Sequence, residues 1–181
     1  MVCVSESLNR RGALGNLMSE KLFKSGDLVV YPSHGLGEIT GIENREIGGM
    51  DLRLYVVAFE REKMILRVPL DKAGPSGMRR LSTRDEMGTA VSALKGRARV
   101  KRSMWSRRAQ EYEAKLNSGD PVAIAEVLRD LHRAADQPDR SYSERQLYET
   151  ALDRLAREFA AVEKIGHDDA ARRLEEVLEA A

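Results

Sequence analysis

The spacing of apolar residues changes at Leu81, and this one switch commits the chain to a fold in two parts. Before it, from Phe23 onward, short runs rich in β-branched and aromatic residues are broken by turn signals, the pattern of a small all-β unit. The expected strands are Leu28 to Tyr31, closed by Pro32, then Gly37 to Ile47, Asp51 to Phe59, Met64 to Val68 and a weaker one near Met78 to Leu81. Gly48-Gly49 supplies the positive φ angles that a two-residue hairpin demands. Alternation puts Met64, Leu66 and Val68 on one face and Ile65 and Arg67 on the other, so Arg67 looks outward. Five short antiparallel strands suggest a closed or nearly closed barrel of SH3 or Tudor type.

After Leu81 the period becomes that of a helix. Ser82 and Thr83, followed three residues later by Asp85 and Glu86, resemble capping boxes. Asp120-Pro121 gives an N-cap and a first helical position, with Ile124, Val127, Leu128 and Leu131 on one face. Ser143 with Gln146 is expected to cap a longer helix, striped by Tyr148, Ala151, Leu152, Leu155, Phe159 and Val162 and ended by Gly166. Leu174, Val177 and Leu178 mark a last one, and Trp105 to Leu116 another. The reading is an α+β, multidomain chain: a flexible leader over 1–21 in which Met18 is a candidate start, a five-stranded Tudor- or SH3-like barrel over 22–81, and a compact all-α bundle of about five helices over 82–181.

Composition excludes several function classes. Cys3 is the single cysteine of 181 residues, so neither an intramolecular disulfide nor a cysteine-based zinc site can form. His34, His132 and His167 form no metal-binding cluster, and no cofactor is expected. No apolar run approaches the roughly 20 residues that span a bilayer, and Arg10 and Arg11 interrupt any signal-peptide stretch, so a cytoplasmic protein without membrane contact is expected. An enzyme would need a nucleophile, metal cluster or phosphate loop; the nearest approach, His34 to Gly37, reads as a tight turn.

The net charge of +1 hides a sharp partition. Residues 1–94 carry net +1, residues 95–115 net +6 and residues 116–181 net −6. The basic segment, with Lys95, Arg97, Arg99, Lys101, Arg102, Arg107, Arg108 and Lys115, runs past the one tryptophan, and it is the best local candidate for contact with phosphates. Two readings of Trp105 stay open. It leads an apolar stripe with Ala109, Tyr112 and Leu116, as a core residue would; alternatively it projects from the first turn, flanked by Arg102, Arg107 and Arg108, as an apolar wedge at a DNA groove.

Four stretches in this order, FKSGDLVVYPSHGLGEITGIE at Phe23 to Glu43, LRVP at Leu66 to Pro69, WSRR at Trp105 to Arg108 and SGDPVAIAEVLRDLHRA at Ser118 to Ala134, resemble the CarD/CdnL family of bacterial transcription regulators. The N-terminal module of that family is shared with transcription-repair coupling factor. The resemblance implies a non-catalytic regulator, acting as a monomer, that docks on the RNA polymerase β subunit, partly by strand pairing, and stabilises the open promoter complex, on ribosomal RNA promoters among others. It implies polymerase contacts for Arg45 and Arg67, a minor-groove wedge without sequence specificity for Trp105, and backbone-anchoring roles for Arg107 and Arg108. Some members carry lysine just beyond the arginine pair, where this chain has Ala109 and Gln110; Lys101 or Arg102 is the expected substitute. The competing reading is a protein-only Tudor-like adaptor whose helices form a dimerisation domain.

Overall fold

The structure, a computed structural model, describes residues 23–99, 103–132 and 141–181. The expected leader and the Met18 start lie outside these residues. Compactness divides the chain into one unit of residues up to Val29 with Gly37–Arg80 and a second of Val30–Leu36 with Leu81–Ala181.

The first unit is built on β1 (Leu28–Tyr31), β2 (Gly35–Ile47), β3 (Met50–Phe59), β4 (Met64–Pro69) and β5 (Arg79–Arg80), with a single helical turn, α1 (Leu70–Ala73), after β4. The strands hydrogen-bond in the order β4-β3-β2-β1-β5, leaving β4 and β5 at the two ends of the sheet. Four strands fall within two residues of the alternation pattern, whereas the fifth shrinks to Arg79–Arg80. Gly48 and Gly49 take φ of 62° and 79° between the paired residues Ile47 and Met50, the left-handed pair that lets two strands turn in two residues. Gly37 answers a different demand: a Cβ there would lie 2.8 Å from the Phe59 ring and 2.9 Å from Val57. Ile39, Tyr55, Val57 and Phe59 fill the core, and Phe23 meets the Tyr55 ring edge-on at 5.7 Å. Each such side chain removed from water contributes about 1.5–3 kcal/mol before chain entropy is subtracted.

Among the described residues the second unit holds five longer helices: α2 (Arg84–Leu94), α3 (Trp105–Ser118), α4 (Pro121–Leu131), α5 (Tyr142–Glu163) and α6 (His167–Glu179). Thr83 and Glu86 form the expected capping box of α2, and Asp120 caps α4 with Pro121 in its first turn. Ser82 turns away and donates its hydroxyl (2.6 Å) and backbone N–H (3.2 Å) to the buried Glu158 of α5. Two expectations about α5 fail. Its capping box is Ser141 with Glu144, two residues earlier than the expected Ser143 and Gln146, and its C-cap is Lys164 in the left-handed region; Gly166 is instead the N-cap of α6. Met87, Leu94, Tyr112, Leu116, Leu128, Leu155 and Leu174 interlock as one core, with Trp105 half-buried at its edge.

Candidate functional site

In the sheet unit the paired register Gly41–Val56–Arg67 sets one face. Successive odd positions of β2 share that face, so Glu43 and Arg45 stand beside Arg67 of β4. Glu43 binds both predicted arginines: its Oε2 lies 3.0 Å from Arg67 Nε and 3.3 Å from Arg45 Nε. The hydrogen bond from Arg67 and the two guanidinium charges hold the Glu43 carboxyl below its ordinary range. Arg45 keeps 54% and Arg67 39% of its side-chain surface exposed, so the cluster presents cations to solvent instead of burying them. Ile65, which shares the face of end strand β4 with Arg67, is 56% exposed. An end strand with an exposed β-branched residue and an arginine has the chemistry of a template for strand addition.

In the helical unit Trp105 is the first residue of α3, after the N-cap Met104, which offers no side-chain hydrogen bond and is 79% exposed. No acidic residue lies in that first turn, so the positive end of the helix dipole is not offset there by a side chain of its own helix. The indole is fixed on three sides. Its Nε1–H donates to Ser143 Oγ of α5 at 2.9 Å, the Arg108 guanidinium lies over the ring at 5.5 Å, and Tyr112 tilts against it at 6.5 Å. The ring is thus half-buried: it packs against the edge of the bundle core, while Met104 just before it is exposed.

The basic segment is less uniform than its sequence. Arg107 is exposed; Arg108 keeps only 16% of its side-chain surface, with Nη2 3.9 Å from Glu144 Oε1 and its buried Nε lacking any acceptor. Lys115 is taken up by Glu126 at 2.7 Å, and that ammonium holds the Glu126 carboxyl below its ordinary value. Lys95, Arg97 and Arg99 are exposed, and the Arg99 backbone N–H is anchored at 2.9 Å on the buried Asp130, which also accepts from Arg129. Lys101 and Arg102 lie outside the described residues. Sequence reasoning missed Glu43, Asp130, Ser143 and Glu144, all partners reached across the fold. Among the described residues no group of three or more His, Cys, Asp or Glu side chains could hold a metal ion, and no helix is long and apolar enough to cross a membrane.

Both halves match known domain families. Residues 23–82 match the CarD-like/TRCF RID domain and residues 89–175 the CarD C-terminal domain. The chain belongs to the CarD family of transcription factors. Among curated relatives it is similar to a Bacillus subtilis protein named "Putative transcription factor YdeB", with 26% identity over 144 residues that cover 80% of this chain and 94% of that protein.

Proposed function

We propose that this chain is a monomeric, non-catalytic cytoplasmic regulator that docks on RNA polymerase through the sheet unit and stabilises the open promoter complex through the helical unit. Arg45 and Arg67 contact the β subunit's lobe, with β4 offering its edge for strand pairing. Trp105 enters the minor groove at the upstream edge of the bubble, while Arg107 and Arg108 hold the flanking phosphates. The observation that carries this reading is the setting of the indole: a half-buried ring at an uncapped, acid-free helix start, between exposed Met104 and exposed Arg107. Arg108 suits its part because its pairing with Glu144 is loose, at 3.9 Å from Nη2, so a phosphate oxygen offers that end of the guanidinium a better partner.

The mechanism is linkage. A protein that binds the melted complex better than the closed one shifts the equilibrium by that difference in affinity and no more. Docking on polymerase supplies high local concentration, so the chain needs neither base readout nor tight binding to free DNA.

The packing of Trp105 on the bundle core keeps the adaptor reading in view. One experiment separates the two: open complexes on a linear ribosomal RNA promoter, challenged with heparin, with and without the full chain. The wild type is expected to lengthen complex lifetime, and the double variant Arg45→Glu, Arg67→Glu to lose both that effect and retention of polymerase in a pull-down. A wild-type chain that binds polymerase yet leaves the lifetime unchanged would refute the open-complex reading and favour the adaptor.

A further inference from the structure

The indole N–H of Trp105 is engaged within the protein, and its acceptor belongs to the first turn of a helix that begins 37 residues later. Ser143 is not the cap of α5, so its hydroxyl is released for another use. Its position is nevertheless rigid, because Ser141 and Glu144 close the capping box around it: Glu144 N–H donates to Ser141 Oγ at 3.3 Å and Ser141 N–H donates to Glu144 Oε2 at 3.4 Å. Ser143 Oγ lies 3.1 Å from Ser141 Oγ, so the Ser143 hydroxyl can accept from the indole and donate its own proton into the cap. Arg108, under restraint from Glu144 Oε1, covers the ring face.

We infer that Ser143 is a positioning residue for the DNA contact of Trp105, and that the capped first turn of α5 is the device that sets the ring before DNA arrives. The inference rests on the wedge reading above. Two consequences follow. Fixing χ1 and χ2 in the free protein removes an ordering cost from the binding step. Holding the N–H on Ser143 leaves the ring with apolar surface alone to present to a base step, so it cannot discriminate among minor-groove acceptors. Sequence tolerance is then built into the site instead of being a by-product of weak binding.

The chain has one tryptophan, so a ¹⁵N-labelled sample gives a single indole N–H resonance that reports Trp105 directly. In Ser143→Ala that resonance should shift and its exchange with water should accelerate; Ser143→Thr, which keeps a hydroxyl, should restore both. With the full chain on cognate polymerase, open-complex lifetime should fall about two- to fivefold in Ser143→Ala, the worth of one exposed hydrogen bond, and recover in Ser143→Thr. Ser143 is exposed, so the thermal melt should fall by only a few degrees, and a purely structural role would leave the indole signal and the lifetime uncoupled. An indole resonance that is the same in Ser143→Ala and wild type overturns the inference. So does an unchanged lifetime in Ser143→Ala when Trp105→Ala shortens it. If Trp105→Ala itself leaves the lifetime unchanged, the wedge reading falls and takes this inference with it, and that variant tells the two failures apart.

Discussion

Truncating Trp105 to alanine should weaken the fold moderately and the open complex severely, and the structure sets the size of the first effect. A fully buried tryptophan replaced by alanine costs about 3–5 kcal/mol. Trp105 is only half-buried at the rim of the bundle core, which brings its packing share to about half that figure. The hydrogen bond to exposed Ser143 adds about 0.5–1 kcal/mol, and the Arg108 guanidinium over the ring about as much again. These contributions overlap, because one ring makes all of them, and a total of about 2–3 kcal/mol is expected. For a unit of this size that lowers Tm by roughly 10–15 °C. Even from a starting stability of about 5 kcal/mol, about 97% of molecules stay folded at 25 °C. Loss of folded protein therefore cannot shorten the open-complex lifetime more than marginally. Urea unfolding of both proteins, run beside heparin-challenged lifetimes, separates the effects. The expected result is a stability loss within this range, unchanged retention of polymerase, and a lifetime indistinguishable from polymerase alone. A loss above about 4 kcal/mol would make the ring a core residue, and equal lifetimes for mutant and wild type would end the wedge reading whatever the stability.

Binding to free duplex DNA should be weak and sequence-tolerant, because Lys115 is paired with Glu126 and the exposed cations of the described basic segment are Lys95, Arg97, Arg99 and Arg107. About five phosphate contacts, those four with Arg108, predict a slope of log K against log salt near −4.5, and nanomolar, sequence-selective binding without polymerase would contradict it. Glu43 supplies a pH signature: its carboxyl titrates below the ordinary value in the folded protein, so its contribution to stability is fully present at neutral pH and is lost as pH falls through the folded-state value. Thermal melts of Glu43→Gln and wild type should therefore differ at pH 7 and converge as pH falls below the ordinary carboxylate range; a difference that stays constant as the pH is lowered would remove Glu43 from the account.

Local pattern made the main elements legible. Alternating strands, a Gly-Gly turn, the Thr83–Glu86 box and the Asp120-Pro121 start all act over a few residues, and the structure places them within two residues of their expected positions. The cap of α5 went astray because Ser-Tyr-Ser offers two serines, each followed three residues later by a suitable partner. Ser141 prevails because its partner is Glu144, whose carboxylate accepts the N-cap N–H and also favours the positive helix end. The consequence reaches the site, since Ser143, not used as the cap, accepts the hydrogen bond of the indole N–H. Ser143 and Trp105 stand 38 residues apart, and no periodicity encodes a bond at that separation. Arg45, Arg67 and Trp105 could be singled out as candidates by type and motif alone. That Arg67 and Arg45 share one carboxylate follows only from the register of β2, β3 and β4, and the direction of Arg108 only from Glu144 on another helix.

The half-burial of Trp105 also bounds what the proposed wedge can do. Separating a base step in intact duplex costs a few kcal/mol, while stacking a base on a whole aromatic ring returns about 1–3 kcal/mol. A ring with one side committed to the bundle and one face under Arg108 can return only part of that. On these magnitudes the indole cannot melt closed DNA from its own interaction energy. At the upstream edge of a bubble the stack is already interrupted, and the same partial contact becomes a net gain. Trp105 is therefore suited to hold an opening that polymerase has made, and its effect should appear in the rate at which the bubble closes more than in the rate at which it first forms.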